Sequence, residues 1–327
     1  MTPTETLLSR ASTLLKTPLI WVMPEATAGL RDISSLAAVH SFRPDVLALK
    51  RMGVAVGADW PALTPAAIAV TLPRQVEWAY GLLAQALDRL PAGGTLLITA
   101  RNDRGGKRYA GVLEEHFGLS WSDSKNHCRM AAVERPQELP PIVAEWRQNY
   151  APRQVEGTDL FARPGTFSYE HVDKASALLA RHLPVLTGTV ADFGAGWGYL
   201  SHCLLTGAKP PMHIDLFEAD ENALAGARAN LKDFASKTHF FWQDLLTEPC
   251  TRLYDAIVMN PPFHDLQDAN TGIGTGFIAR AKAALKFGGQ LWLVANKHLP
   301  YEDELKSFAS CRTVTEDGLF KVMAAIR

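Results

Sequence analysis

Two short motifs constrain the fold of this chain more than any other feature of its sequence. Residues 190–198 read VADFGAGWG, and residues 257–264 read IVMNPPFH. Each begins as a short apolar run and ends in residues that break regular structure, a pattern typical of a buried strand of a parallel sheet. Ligands of parallel α/β sheets bind at the carboxyl ends of the strands. The sequence therefore predicts an α/β fold with a ligand site where these two strands end.

The first motif indicates a site for S-adenosylmethionine. Its G-x-G-x-G order lets the backbone turn tightly and approach a ligand, but it differs from the G-x-G-x-x-G order of dinucleotide sites. We expect Asp192 to orient the glycine loop and the methionine amine, and Glu218, which ends the next apolar run, to accept both ribose hydroxyls. Asp244 follows a third apolar run, where such sites recognise the adenine amine. The expected cofactor-binding residues are Asp192, Gly194, Ala195, Gly196, Glu218 and Asp244. The alternative interpretation is a structural turn with capping carboxylates.

The second motif predicts a site for a planar amine. Prolines cannot donate hydrogen bonds, so the carbonyl groups around Pro261 and Pro262 stay free to accept them. The Asn260 side-chain oxygen and the Pro261 carbonyl could accept the two N–H groups of an exocyclic amine, and Phe263 could stack on the base. These four residues are the expected catalytic residues, and the chemistry requires no strong base. The alternative is a proline-rich strand exit without a catalytic role.

These motifs resemble those of the bacterial ribosomal RNA guanine-N2 methyltransferases that modify small-subunit (16S) RNA, with the large-subunit (23S) enzymes as a close sister family. The similar stretches cover nearly all of the chain after about residue 150: residues 165–168 with Asp173, 192–196, 260–264, 294–296 with 299–301, and 318–322. The resemblance implies S-adenosylmethionine-dependent methylation of a guanine N2 amine in 16S ribosomal RNA, with that RNA or the small ribosomal subunit as partner. It also implies that residues 165–173 cover the cofactor, and we expect Phe167 and His264 to contact the substrate. Many relatives have cysteine where Ala195 stands, but the proposed chemistry does not need a thiol.

Length and composition limit the remaining possibilities. The chain has 327 residues, 47% of them hydrophobic and 20% charged, which suits two ordinary globular domains. It has no run of about eighteen apolar residues and no signal-peptide pattern, so we expect a cytoplasmic protein without a membrane partner. The 4 cysteines form no C-x-x-C pair and the 10 histidines no H-x-x-x-H pair, so we expect no metal. We also expect a monomer.

An internal repeat indicates how the first half is organised. Residues 90–100 (LPAGGTLLITA) align without a gap with residues 285–295 (LKFGGQLWLVA), and residues 68–74 fall where residues 257–263 fall. The first half lacks the amide, the aromatic ring and the acid followed by a G-x-G-x-G loop. We therefore expect two tandem Rossmann-like class I methyltransferase domains of the α/β class, of which the first is degenerate. The alternative is two unrelated α/β domains that share a helix-cap signal.

The expected domain boundary lies near residue 150. Residues 1–150 form the degenerate domain, which binds substrate or stabilises the protein, and residues 151–327 form the catalytic domain. We expect the catalytic domain to have a seven-stranded sheet of order 3-2-1-4-5-7-6. The prolines of residues 134–157 indicate an inter-domain connection, packed down by Trp146 and Tyr150.

A basic loop follows the repeated strand of the first half. Four cations are expected to contact RNA phosphates there: Arg101, Arg104, Lys107 and Arg108. Residues 1–150 contain 16 basic and 14 acidic residues, and residues 151–327 contain 17 basic and 20 acidic residues. Since this asymmetry is small, phosphate contacts must come from local patches such as this loop. The alternative is an ordinary solvated surface loop.

Other functions remain open at this point. The same reaction on 23S ribosomal RNA is one alternative. N6-adenine methylation of DNA and N5-glutamine methylation of a protein use similar Asn-Pro-Pro-aromatic motifs, usually with Tyr or Trp as the aromatic residue. A non-enzymatic alternative is a ribosome assembly factor with an inactive methyltransferase fold.

Overall fold

Each half of the chain folds around its own seven-stranded sheet in the computed structural model, which describes residues 1–262 and 271–327. The two compact units are Met1–Ala151 and Pro152–Arg327. Among the described residues, none of the helices has both the length and the apolar character needed to cross a membrane.

The first unit has seven strands, which are β1 Leu19–Val22, β2 Leu36–Val39, β3 Ala55–Gly57, β4 Ala67–Thr71, β5 Thr95–Arg101, β6 Trp121–Lys125 and β7 Cys128–Glu134. Its α-helices are α1 Pro3–Arg10, α2 Arg43–Arg51, α3 Val76–Arg89, α4 Gly106–Phe117 and α5 Ile142–Tyr150. Short 3₁₀ helices span Ser12–Leu14, Ala28–Asp32 and Asn102–Arg104. The strand order is β3-β2-β1-β4-β5-β7-β6, with β7 antiparallel to both of its neighbours.

The second unit begins with a small two-stranded sheet, β8 Arg153–Gln154 and β9 Phe161–Ala162. The strands of its large sheet are β10 Thr189–Phe193, β11 His213–Glu218, β12 Thr238–Trp242, β13 Tyr254–Met259, β14 Leu285–Asn296, β15 Ser310–Glu316 and β16 Phe320–Ile326. Its α-helices are α6 Lys174–His182, α7 Tyr199–Thr206, α8 Glu221–Asn230, α9 Thr271–Ala284 and α10 Tyr301–Leu305, and a 3₁₀ helix spans Lys232–Lys237. The strand order is β12-β11-β10-β13-β14-β16-β15.

Both sheets thus have the order 3-2-1-4-5-7-6, which confirms the expected pair of Rossmann-like methyltransferase folds. The pairing registers also agree with the sequence repeat. Thr95 lies opposite Ala67 in the first unit, and Gln290 lies opposite Ala256 in the second. The sequence repeat matches Thr95 with Gln290 and Ala67 with Ala256. The paired strands of the two sheets can therefore be compared residue by residue.

The segment predicted as an inter-domain connection contains a helix of the first unit. Helix α5 occupies the middle of residues 134–157, and Trp146 and Tyr150 are buried. The Trp146 ring stacks on Tyr80 of α3, with ring centroids 5.1 Å apart. The sequence did not indicate this helix because its prolines are also typical of a linker. Proline is well tolerated at a helix start, and Pro141 is the N-cap of α5. The unit boundary lies between Ala151 and Pro152.

The predicted basic loop is also more ordered than the sequence indicated. Strand β5 extends to Arg101, a 3₁₀ turn covers Asn102–Arg104, and α4 begins at Gly106. Gly105 makes this junction possible because it adopts a φ of 94°, in the left-handed region that glycine reaches without strain. Lys107 and Arg108 therefore lie in the first turn of a helix.

The sheet of the second unit positions the predicted site. Strands β10 to β14 are parallel, and apolar side chains pack on both of their faces. Because both faces are buried, the strands read as continuous apolar runs, and the polar residues stand at the strand ends. The carboxyl ends of β10, β11 and β13 consequently bring Asp192, Glu218 and Asn260 to the same edge of the sheet.

Candidate active site

The glycine loop after β10 has an open surface. Gly194 and Gly196 have φ angles of 76° and 56°. The amides of Gly194 and Ala195 donate to the Phe217 carbonyl at 2.9 and 3.0 Å, which fixes the loop to the end of β11. A Cβ added at Gly196 would meet no atom within 4 Å. Backbone without a side chain therefore faces free space here, as a loop that closely approaches a ligand requires.

Glu218 connects this loop to the start of the next helix. Its carboxylate accepts the Gly196 amide at 2.8 Å and the Ala219 and Asp220 amides at 2.7 and 2.9 Å. Burial raises the pKa of the carboxyl above its ordinary value, and the three amides oppose that rise. A carboxylate offers about four lone-pair positions, so Glu218 can still accept a hydroxyl.

Asp192 is a buried acid with one free oxygen. Its Oδ2 accepts the Ser201 hydroxyl of α7 at 2.7 Å rather than a loop amide, and its Oδ1 has no partner in the described part of the chain. Burial raises the pKa of the carboxyl to about 7. An unpaired buried acceptor is unfavourable, and a cationic amine would satisfy it.

Asp244 closes the turn after β12. Its two carboxylate oxygens accept the Leu246 amide at 3.0 Å and the Thr247 hydroxyl at 2.5 Å. The residue is 7% exposed. Its contact with adenine stays a prediction, and it would use the lone pairs that this turn leaves free.

Asn260 is held by one end of its amide. Its Nδ2 donates to Asp173 Oδ2 at 2.9 Å and to the Ser176 hydroxyl at 2.8 Å. Since a carboxylate can only accept, the nitrogen must face Asp173 and the oxygen must face away. That oxygen, Oδ1, is buried and has no partner among the described residues. The arrangement thus presents one fixed acceptor at the end of β13.

The sequence did not indicate the role of Asp173 and Ser176. Asp173 is the N-cap of α6, where its Oδ2 accepts the Ser176 amide at 2.7 Å. The local signal was an aspartate three residues before a serine at the start of an alanine-rich helix, which predicts a cap. Nothing in that signal indicates a contact with Asn260, which lies 87 residues away.

A cleft lies between the glycine loop, the lead-in segment and Asn260. It is lined by Phe167, Ser168, Asp173, Ser176, residues 194–197, Tyr199, Leu200 and Asn260. The Phe167 side chain is 57% exposed, and its carbonyl accepts the Trp197 indole N–H at 2.9 Å. The lead-in segment therefore borders the glycine loop, as expected for a segment that covers a cofactor. Phe263 and His264 lie outside the described residues.

The first unit has different residues at the equivalent positions. The registers place Trp21 where Asp192 stands and Thr71 where Asn260 stands. The fully buried Trp21 indole donates to the Thr71 hydroxyl at 3.1 Å, so these two side chains satisfy each other. His40 stands where Glu218 stands, and burial lowers its pKa to about 4, which keeps the imidazole neutral near pH 7. No free acceptor remains at any of these three positions.

The predicted basic residues of the first unit are exposed at the end of β5 and the start of α4. Arg101 forms a two-bond ion pair with Asp103, at 3.0 and 3.2 Å. Arg104, Lys107 and Arg108 have no ion pair with the residues that the structure describes. Three of the four cations are thus available to an external anion.

Comparisons with known proteins agree on one family. The sequence profile of the family described as "Methyltransferase small domain" matches residues 157–324. The chain is 32% identical over 262 residues to ribosomal RNA small subunit methyltransferase C of Shewanella loihica, a match that covers 79% of this chain and 76% of the relative. The corresponding protein of Shewanella amazonensis is 32% identical over 261 residues, with 79% and 76% covered.

A solved structure shares the whole fold. The 16S rRNA N2 G1207 methyltransferase of T. thermophilus, solved in complex with AdoMet and guanosine, superimposes with a TM-score of 0.78. The match covers 100% of this chain and 92% of that chain, at 24% sequence identity. Both units described above are therefore features of an established two-domain fold.

Proposed function

The chain belongs to the ribosomal RNA small subunit methyltransferase C family, and from this premise we propose that it methylates the N2 amine of a guanine in 16S ribosomal RNA. That it is a methyltransferase follows from the family itself. The fixed, unpartnered oxygen of Asn260 supports a planar exocyclic amine as the methyl acceptor, and the choice of guanine in 16S RNA rests on the similarity to the relatives. A ribosomal RNA substrate also places its action in the cytoplasm.

The cofactor is S-adenosylmethionine, and the residues at the carboxyl ends of β10, β11 and β12 fit it. When bound, this cofactor supplies an electrophilic methyl group on a sulfonium sulfur. Asp192 Oδ1 is a buried acceptor without a partner, suited to the cationic amine, and Gly196 leaves space for close approach. Glu218 retains about one lone-pair position for a ribose hydroxyl, and Asp244 lies at the end of the next strand for the adenine amine.

Asn260 acts on the guanine amine. Its oxygen accepts one N–H, the Pro261 carbonyl accepts the other, and both bonds strengthen as the nitrogen lone pair turns from the ring toward the methyl group. Asp173 and Ser176 hold the amide so that its oxygen needs no reorientation during the reaction. We also propose that the base contacts Phe263, Phe167 and His264.

The two units have different functions in this proposal. Residues 151–327 bind the cofactor and carry out methyl transfer. Residues 1–150 bind RNA through Arg101, Arg104, Lys107 and Arg108 and stabilise the protein. The support for this division is that Trp21, Thr71 and His40 fill the positions of the three site residues in the first unit.

Single-turnover methyl transfer tests the proposal directly. Wild type and Asn260→Ala are each saturated with cofactor and RNA, and the product is identified as N2-methylguanosine by mass spectrometry. Loss of one preorganised transition-state contact costs about 10²–10³-fold in rate, so we expect that loss with unchanged cofactor affinity. An unchanged rate for Asn260→Ala, or methylation of another nucleoside, contradicts the proposal.

A further inference from the structure

A second group of polar side chains lies at the edge of the second sheet opposite to the cleft. His213 and Asp215 are two residues apart on β11, so they project from the same face of the sheet. His239 is the residue of β12 that pairs with Asp215 in the parallel register. Two neighbouring strands therefore bring two imidazoles and one carboxylate together on rigid backbone.

Three atoms of this group form a small triangle. His213 Nε2 lies 2.8 Å from Asp215 Oδ1 and 2.8 Å from His239 Nδ1, and the third side is 3.2 Å. Ligand atoms of a tetrahedral Zn²⁺ site, with bonds of about 2.0–2.2 Å, lie roughly 3.3 Å apart. The third side of the observed triangle agrees with this value, and the two sides that meet at His213 are about 0.5 Å shorter, so the His213 ring must move by about that distance to hold an ion.

The carboxylate has a supporting contact typical of a metal ligand. The second oxygen of Asp215, Oδ2, accepts the hydroxyl of the buried Tyr254 at 2.7 Å. This bond turns Oδ1 toward the two histidines, as outer hydrogen bonds orient ligands in metal sites. Asp215 itself is fully buried, whereas the His239 side chain is 53% exposed, so solvent reaches the group from one side.

We propose that His213, Asp215 and His239 bind a divalent transition metal ion, with Zn²⁺ as the best match. Two imidazoles and one carboxylate are borderline ligands that suit Zn²⁺ better than Mg²⁺ or Ca²⁺. The ion joins the amino ends of β11 and β12 and stabilises the second unit. The site is separate from methyl transfer, since Glu218 and Asn260 lie at the other ends of the strands.

Arg252 is the competing group. Its guanidinium donates to Asp215 Oδ1 at 3.4 Å and to Oδ2 at 3.1 Å and lies 3.3 Å from His239 Nδ1, and its side chain is 54% exposed. Metal binding therefore requires Arg252 to move toward solvent. The sequence expectation of no metal rested on the absence of C-x-x-C and H-x-x-x-H pairs, and such short spacings cannot detect ligands on two strands, such as Asp215 and His239, which are 24 residues apart.

Calorimetric titration of the full chain, stripped with a chelator, with Zn²⁺ alone tests this site. We expect one ion per chain and a higher Tm in its presence. Tyr254→Phe removes an outer partner of the ligand Asp215 and should weaken binding roughly 10–100-fold. His239→Asn removes a ligand itself and should weaken binding by more than that. Arg252→Met should strengthen binding because it removes the competing cation.

His182→Asn is the matched control, because this exposed histidine of the same unit lies outside the group. It should leave binding unchanged. Titration with Co²⁺ gives a second readout, since visible d–d bands report the ligand geometry and should be lost in His239→Asn. No binding by the wild type, or equal binding by wild type and His239→Asn, overturns the proposal and leaves the three residues as a hydrogen-bond network.

Discussion

Asn260 shows at the scale of single residues how a common side chain acquires a chemical role. An amide on a flexible side chain can turn either way, but the Asp173 carboxylate accepts only from its nitrogen. The free oxygen is therefore oriented before any substrate arrives. In the proposed reaction Asp173 is a positioning residue, because it would act on the substrate only through Asn260.

The first prediction concerns this positioning. Asp173→Ser keeps an N-cap for α6 but shortens the side chain, so it should lose the bond to Asn260 and lower the single-turnover rate about 10–100-fold with little change in cofactor affinity. Asp173→Asn keeps an acceptor for both bonds and should restore most of the rate. In the Asn260→Ala background, Asp173→Ser should add little, since the two residues act as one unit. Fully additive losses would show that Asp173 acts independently of Asn260.

The second prediction concerns Asp192 without cofactor. Burial raises the pKa of this carboxyl to about 7, so the folded state binds more protons than the unfolded state between about pH 4 and pH 7. Its contribution to stability is therefore present at low pH and is lost as the pH rises through about 7. From pH 5 to pH 8 the wild type should lose up to about 3 kcal/mol relative to Asp192→Asn. Denaturant unfolding of both proteins at several pH values measures this, and parallel profiles would exclude it.

At the scale of elements, the sequence indicated the central strands well and the connections poorly. Buried parallel strands are continuous apolar runs, so β4, β5, β10 and β13 were recognisable locally. Helix α5 was not, because the prolines that flank it suggest a linker and its burial depends on α3. The hydrogen bond between Asp173 and Asn260 and the one between Trp21 and Thr71 in the first unit are tertiary contacts, which no local sequence pattern encodes.

The third prediction tests the packing of α5 on α3. A Cβ added at Gly81 would lie 2.1 Å from Tyr150 Cγ, an atom too close to the backbone to move alone. Gly81→Ala should therefore destabilise the protein by about 1–3 kcal/mol. Gly111→Ala is the control: its Cβ meets no atom within 4 Å in α4, so it should stabilise by about 0.5–1 kcal/mol. Equal Tm values for the two variants would show that α5 is not packed as described.

At the scale of the whole molecule, duplication explains why one chain has two similar folds and, in this account, one site. The first copy retains the sheet order and even a left-handed backbone at Met23, which stands where Gly194 stands. What has changed is the chemistry at the strand ends, where an indole, a hydroxyl and a neutral imidazole replace three acceptors. We propose that the first unit binds the RNA substrate instead.

The fourth prediction concerns RNA binding by the first unit. Replacing Arg101, Arg104, Lys107 and Arg108 with Ala should weaken RNA binding and leave cofactor affinity unchanged. Because Arg101 is paired with Asp103, about three phosphate contacts are lost, and the slope of log K against log salt should fall by about 2–3. The matched control removes four other exposed cations of the same unit, Lys16, Arg31, Lys50 and Arg51. An equal effect of both sets would mean that the RNA contact is not local to this patch.

The central claim is that this chain methylates guanine N2 in small-subunit ribosomal RNA through Asn260. Mass spectrometry of nucleosides from both ribosomal RNAs tests it most directly, in cells that lack the protein and in cells that regain the wild type or Asn260→Ala. We predict that N2-methylguanosine disappears from one position of the 16S RNA, returns with the wild type and does not return with Asn260→Ala. Unchanged 16S RNA in the cells that lack the protein, loss of the methyl group from 23S RNA instead, or full restoration by Asn260→Ala would contradict the account.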